Sequence, residues 1–294
     1  GFLSPRGQRM ANKSDFREFS RQDRYRAMEV LLNWEGGCNA SRLGRLFNVR
    51  RENVTRYIQD YRETYPGQMW YDSVGKIFKP TTTFTPKCTR GIISEYIDFA
   101  RRFPAEHGGS FNGGSWLDCG PRPHIEPEPS VFRTIVQAIK ESQVIAVRYR
   151  SWNHPSGLDR KVHPHALAYS GLRWHCRAFD EETQSYRDFH LGRFESIALA
   201  GNAGDAITGE ADHDWHQQVD LLLIPNPELS EQEQQLVRAD YSMDRGCLTV
   251  RSRRAMAQYV LTSYQVSPNG DIPENPRQQP LVCSNLDIIA SVLF

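Results

Sequence analysis

The stretch RRENVTRYIQDYRETYPGQMWYDSVGKIFKP, residues 50–80, decides how the N-terminal third folds. Val54, Tyr57, Ile58 and Tyr61 recur at i, i+3, i+4 and i+7, one apolar stripe of a helix over about 50–64. Arg50, Arg51, Asn53, Thr55 and Arg56 fall near its N-terminus on the opposite face. Pro66-Gly67 ends the helix, and the alternation of QMWYDSVGKIFKPT about a Ser73–Gly75 turn predicts a β-hairpin. Upstream, Tyr25, Met28, Leu31, Leu32 and Trp34 predict a helix over 20–35, with Ser20 as N-cap and Gly36-Gly37 as its stop. Asn39 caps a short helix through Phe47, with Leu43, Leu46 and Phe47 inward and a turn at Asn48-Val49. Three helices and a hairpin in this order predict a winged helix-turn-helix over residues 10–84.

The polar face of the third helix has the chemistry of a major-groove reader. A recognition helix puts its N-terminal side chains against base edges. Arginine pairs bidentately with guanine and asparagine with adenine, while nearby basic groups hold phosphates. Lys76 and Lys79 of the hairpin are placed for the flanking backbone. The competing reading is a protein-docking module with a solvated basic face. Helix lengths, the short turn, the arginines and the hairpin together favour double-stranded DNA.

Charge points the same way. Residues 1–103 carry 19 Lys and Arg against 11 Asp and Glu, net +8; residues 104–294 carry 17 against 24, net −7. This asymmetry suits a polyanion-binding module on a non-basic body. The chain has 294 residues, 39% hydrophobic and 24% charged, which excludes a disordered chain, a collagen and a disulfide miniprotein. No run of about 18 apolar residues predicts a membrane helix. Gly1 to Met10 holds two arginines and no apolar block, unlike a secretory signal. Cysteines 38, 88, 119, 176, 247 and 283 form no C-x-x-C pair, so reduced thiols and a cytoplasmic location are expected, with a scattered disulfide set as the alternative.

A connector follows over 85–130. Residues 88–103 read as a helix, and 104–130 are rich in Gly and Pro and read as a linker. From 131 the pattern changes. A helix is predicted over 131–142, then strands over 144–151, 161–169, 172–179 and 186–194 with turn-prone joins. Such strands predict a small, strongly bent sheet or partial barrel. Alternation puts Leu172, Trp174, Cys176 and Ala178 on one side, and Arg173, His175, Arg177 and Phe179 on the other. Arg187, Phe189, Leu191 and Arg193 share a face, as do Ile145, Val147, Tyr149 and Ser151. A face with His, Arg, Tyr and Ser suits an anion or nucleotide pocket. Equally, these are solvated charges paired with Asp180, Glu181, Glu182 and Asp188.

The segment RKVHPHALAYSGLRWHCRAFDEETQSYRDFHLGRFESI, residues 160–197, resembles a WYL domain. Arg160, Pro164-His165-x-Leu167, Gly171, Trp174-His175-Cys176 and Arg187-x-Phe189-x-Leu191-x-Arg193-Phe194 carry the likeness. The namesake Tyr-Leu is replaced by His-Cys, which keeps the polar and apolar alternation. LLLIPNPELSEQEQQLVRADYSM and LTVRSRRAMAQYVLTSY resemble the C-terminal extension of such regulators. The combination is similar to the BrxR/CapW group of transcriptional repressors of bacterial phage-defence operons. The resemblance implies an α+β multidomain chain: winged helix-turn-helix, central Sm-like β-barrel WYL domain over 131–205, and small C-terminal α/β sandwich over 214–294. It implies a homodimer on an inverted-repeat operator, with a nucleotide or single-stranded nucleic-acid ligand at the WYL domain. By position the pocket would draw on Tyr149, Ser151, His165, His175, Arg177, Arg187 and Arg193.

The C-terminal part has its own pattern. VDLLLIPNP reads as a strand ending in Pro225, SEQEQQLVRADY as a helix capped by Ser230 and Glu233, LTVRSRR as a second strand and AMAQYVLTSY as a second helix. This β-α-β-α run lacks a basic face, so dimerisation or signal relay fits it better than DNA contact. His163 and His165 share a strand face near His175 and His190, an arrangement that invites comparison with a zinc site. No H-E-x-x-H, Walker loop or G-x-S-x-G accompanies them. The expectation is a regulator without enzymatic activity, cofactor or metal.

Overall fold

The computed structural model describes residues 19–103, 117, 126–202, 204 and 207–293. The chain forms two compact units, Gly1–Pro121 and Arg122–Phe294. Residues 1–18 lie outside the described residues, as do Cys119 and nearly all of the expected linker up to residue 125.

Unit 1 begins with helix α1, Arg21–Glu35. Its first turn is closed reciprocally: Ser20 Oγ accepts from the Asp23 amide at 3.1 Å, and the Asp23 carboxylate accepts from the Ser20 amide at 3.3 Å. Gly36, at φ 75°, ends it. Helix α2, Ala40–Phe47, starts where Asn39 Oδ1 accepts from the Arg42 amide at 2.8 Å. Asn48 then turns the chain at φ 52°, and helix α3 follows over Arg51–Thr64. Strands β1, Met69–Asp72, and β2, Ile77–Pro80, pair antiparallel around a turn whose Val74 and Gly75 amides donate to Asp72. The hairpin is stitched back to the α1–α2 loop by mutual amide–carbonyl bonds between Cys38 and Phe78. Gly37 must be glycine there, because a Cβ would stand 2.8 Å from the Phe78 carbonyl oxygen. Helix α4, Ile93–Arg102, adds Tyr96 and Phe99 to a core of Met28, Leu31, Leu32, Leu43, Val54, Ile58 and Tyr61. The arrangement is a winged helix-turn-helix.

Unit 2 opens with helix α5, Pro129–Glu141. Five strands follow: β3 Gln143–Tyr149, β4 Leu158–Tyr169, β5 Trp174–Asp180, β6 Ser185–His190 and β7 Phe194–Asn202. They form one antiparallel sheet in the order β6-β5-β4-β3-β7. The fold is sheet-rich and bent as expected, and the first and last strands are neighbours, as a small barrel requires. Barrel closure is corrected: among the described residues no ladder joins β6 to β7. The strand expected over 186–194 also stops early. A tight turn at Leu191–Arg193 interrupts it, with the Gly192 amide donating to His190 Nδ1 at 2.8 Å. That turn drops Leu191 into the core and starts β7. Val131, Ile135 and Ala138 of α5 pack on Ile145, Val147, Val162, Cys176 and Ala178.

The rest of unit 2 runs through a single helical turn, α6 His213–His216, then β8 Gln218–Pro225, helix α7 Glu231–Asp240, β9 Leu248–Arg253, helix α8 Ala257–Ser263 and β10 Leu281–Cys283. The strands make an antiparallel sheet, β10-β8-β9. Val219, Leu221 and Leu223 alternate inward from β8 onto Val237, Leu261 and Ile289. Ser230 and Glu233 close the capping box of α7. The five described cysteines, 38, 88, 176, 247 and 283, are free thiols. Among the described residues no helix is long and apolar enough to cross a membrane.

Candidate functional site

Helix α3 is two-faced. Val54, Ile58 and Tyr61 are buried, while Arg51, Thr55 and Arg56 are exposed and Asn53 is half-buried. Arg50 is the N-cap residue, exposed, with no side-chain bond into the helix. The four amides of a helix start add to its positive end, so arginines there reinforce a field already favourable to anions. Two side chains are engaged locally. Thr55 Oγ1 donates back to the Arg51 carbonyl at 3.1 Å, and Arg56 Nη2 donates to Asn53 Oδ1 at 3.3 Å. On the wing, Lys76 is exposed at φ 51°, but Lys79 is tied to Asp72 at 2.7 Å. A backbone contact by Lys79 therefore competes with an existing ion pair. Val74, 92% exposed, makes the wing tip apolar, which charge-based reading did not register. Helix α3 is braced by Arg21, whose Nε and Nη2 donate to the two oxygens of Asp60, each at 2.8 Å.

The second candidate is a cavity of about 1120 Å³ in unit 2. Of the seven residues expected there, Tyr149, Ser151, His175, Arg187 and Arg193 line it. His165 and Arg177 do not. Arg177 forks onto Asp212, Nε to Oδ2 at 2.7 Å and Nη2 to Oδ1 at 3.0 Å, and reaches Asp188 at 3.3 Å. His165 Nε2 meets the same Asp212 at 2.9 Å. Burial works against the Asp212 carboxylate, but His165 and Arg177 outweigh it and hold it down at about 2. Asp188 is pushed up by burial despite Arg177 and a 2.9 Å bond from the Tyr259 hydroxyl. The polar side of β5 is thus a sealed ionic seam under the C-terminal part of the unit.

Tyr149 faces mostly inward, its oxygen accepting from the His190 amide at 2.9 Å. His175 lies against the Tyr259 ring, centroids 4.5 Å apart. His163 pairs with Glu181 and His165 with Asp212, and among the described residues no group of three or more His, Cys, Asp or Glu could hold a metal. Arg173, placed by alternation on the face of His175 but not counted among the seven, also lines the cavity, and sequence reading missed Trp152 and the α8 residues Gln258, Tyr259, Thr262 and Ser263 there.

Burial pushes the His175 imidazole down to about 4 from its ordinary 6.5, with His190 and nearby arginines adding to the effect. Its folded pKa lies below the unfolded one, so its contribution to stability is present above about pH 6.5 and is lost as pH falls toward 4. Between about pH 7.5 and about pH 5 the folded protein should lose about 2 kcal/mol through this group. Urea unfolding at both pH values checks this against His175→Asn, whose pH slope should be shallower by that amount. Parallel slopes would show that His175 titrates normally.

Comparison with known proteins fits this architecture domain by domain. Residues 20–102 match the BrxR transcriptional regulator winged helix-turn-helix domain. Residues 130–199 match the WYL domain, and 218–289 the BrxR transcriptional regulator, C-terminal dimerization domain. The chain belongs to the BrxR family of transcriptional regulators. The DNA-binding transcriptional repressor CapW of Pseudomonas aeruginosa is 28% identical to this BrxR-family chain over 280 residues, 94% of this chain and 92% of the relative. The repressor of the same name from Stenotrophomonas maltophilia is 27% identical over 266 residues, 88% of each. Among solved structures, proteasome accessory factor B/C (PafBC) of Arthrobacter aurescens is similar over 92% of this chain and 45% of that one, at 15% identity and a TM-score of 0.32. That likeness is too loose to bear on this BrxR-family fold.

Proposed function

We propose that this chain is a cytoplasmic, sequence-specific DNA-binding repressor of a phage-defence operon. It binds an inverted-repeat operator as a homodimer and is released by a nucleotide or nucleic-acid ligand at the WYL domain. The observation that carries this reading is helix α3: Arg50, Arg51 and Arg56 stand toward solvent at the positive end of a helix whose other side is core, beside a two-stranded wing. The named function of the CapW relatives and the dimerization-domain match support it. In a dimer, two such helices reach successive major grooves about 34–36 Å apart. Release requires that the ligand bind the DNA-competent and incompetent geometries with different affinity.

The test is a gel shift on the DNA upstream of the protein's own gene, with random duplex as competitor and salt varied. Each phosphate contact adds about 0.9 to the slope of log affinity against log salt. Arg56→Ala should weaken operator binding by about 1–3 kcal/mol if it reads a base, and Lys76→Ala should lower the salt slope by about 1. Salt-insensitive binding would remove the phosphate contacts. Binding no tighter than to random DNA would favour an adaptor, with the winged helix docking a protein partner.

A further inference from the structure

The cavity in unit 2 carries two signs of an unmet ligand. First, Arg173, Arg187 and Arg193 line it, and among the described residues none of the three has a carboxylate partner. Guanidinium groups match phosphate oxygens bidentately. Second, Trp152 is 85% exposed at the rim, with the Arg193 guanidinium 5.6 Å from its ring centre. An indole held open beside a cation is a platform for a flat ring. The acids present do not oppose an anion strongly. Asp188 is already held by Arg177 and Tyr259, and Glu182 is exposed at the rim.

The far wall belongs to α8 of the C-terminal domain, through Gln258, Tyr259, Thr262 and Ser263. At about 1120 Å³ the cavity sits at the upper end of small-ligand sites, large enough for more than one phosphate besides a ring. We infer that it is a shared site for a ligand with a planar ring and at least two phosphate groups, Trp152 beneath the ring, Arg173, Arg187 and Arg193 on the phosphates, and α8 as the opposite wall. This deepens the ligand-release reading above and rests on it for its regulatory meaning. A ligand so placed touches both the WYL sheet and the dimerization domain. Its affinity therefore depends on where α8 lies, which is the differential binding that release needs.

The test is calorimetry on the full chain without operator DNA, using three probes: the 5′-phosphorylated dinucleotide of adenosine, inorganic tripolyphosphate, and adenosine. The dinucleotide should bind about tenfold or more tighter than tripolyphosphate, from base stacking, and adenosine should show no measurable heat. Trp152→Ala should bring the dinucleotide down to the tripolyphosphate level. Thr262 is exposed on α8, so its replacement spares the core. Thr262→Glu should weaken both phosphate-bearing probes by about tenfold, and Thr262→Lys should strengthen them. Full affinity in Trp152→Ala would overturn the ring platform, and unchanged affinity in both Thr262 variants would overturn the shared wall. No binding of either phosphate-bearing probe would overturn the site itself. The gel shift on upstream DNA is run separately. A chain that binds the dinucleotide but not that DNA keeps this site and loses the repressor reading; the reverse result does the opposite.

Discussion

Replacing Arg177 with methionine should destabilise the protein by about 3–5 kcal/mol, the usual cost of breaking a buried ion pair from one side. Arg177 is 4% exposed and is shared by two carboxylates that are themselves buried, Asp188 and Asp212. Methionine keeps much of the volume but leaves both acids without their cation. His165 still reaches Asp212, and Tyr259 still donates to Asp188, so neither is stranded completely. The two acids stand on different elements: Asp188 on β6, Asp212 at the start of α6. Their loss of a common partner should loosen the C-terminal part of unit 2 from the WYL sheet. The measure is the urea midpoint, with the m-value watched for a broken two-state transition. Arg177→Lys should recover only part of the loss, because an ammonium cannot fork onto both oxygens of Asp212. Adding Asp188→Asn to Arg177→Met should cost less than the sum of the single changes, since the second change removes a charge the first left unpaired. A loss below about 1 kcal/mol for Arg177→Met would mean the seam is solvated and clamps nothing.

Arg177 also marks where sequence reasoning reaches its limit. Alternation placed it with His175 on one face of β5, and both do lie on the polar side. What covers that side is Asp212, 35 residues later, and Tyr259, 71 residues beyond Asp188. No local pattern announces such partners. Helix starts were legible for the opposite reason: Ser20 with Asp23, Asn39, and Ser230 with Glu233 satisfy amides within one turn, so the information is local. Strand β7 was missed because most of its residues are exposed, leaving no two-residue apolar rhythm; its existence depends on pairing with β3, some 50 residues earlier in the chain. Trp152 sits beside a turn-prone segment, where periodicity gives no direction to a side chain. A bulky indole inside the polar run SWNHPSG was the available signal.

Glu29 is the second site of large expected effect, and it too hid in plain view, an acid within the apolar run AMEVLL. It is 0% exposed. Its Oε1 accepts from the Tyr61 hydroxyl and the Lys87 amide, both at 2.9 Å. Its Oε2 accepts from the Cys88 amide at 2.8 Å, the Thr89 amide at 2.9 Å and the Thr89 hydroxyl at 3.0 Å. One carboxylate on α1 thus fastens both α3 and the segment leading from the wing to α4. Burial, with Glu29 beside it, pushes the Tyr61 phenol up, so it stays a donor. Glu29→Ala should cost about 3–5 kcal/mol, because three amides and two hydroxyls lose one buried charged acceptor together. Glu29→Gln should cost somewhat less. It retains one oxygen, but its NH₂ then points at donors. Hydrogen exchange separates this from general weakening: the amides of Lys87, Cys88 and Thr89 should lose protection in both variants while the core of α1 keeps most of its own. Uniform loss across α1, α3 and 87–89 would mean Glu29 supports the core as a whole. Selective loss would identify it as the fastener that sets where α4 begins relative to the helix that faces DNA in the proposed complex.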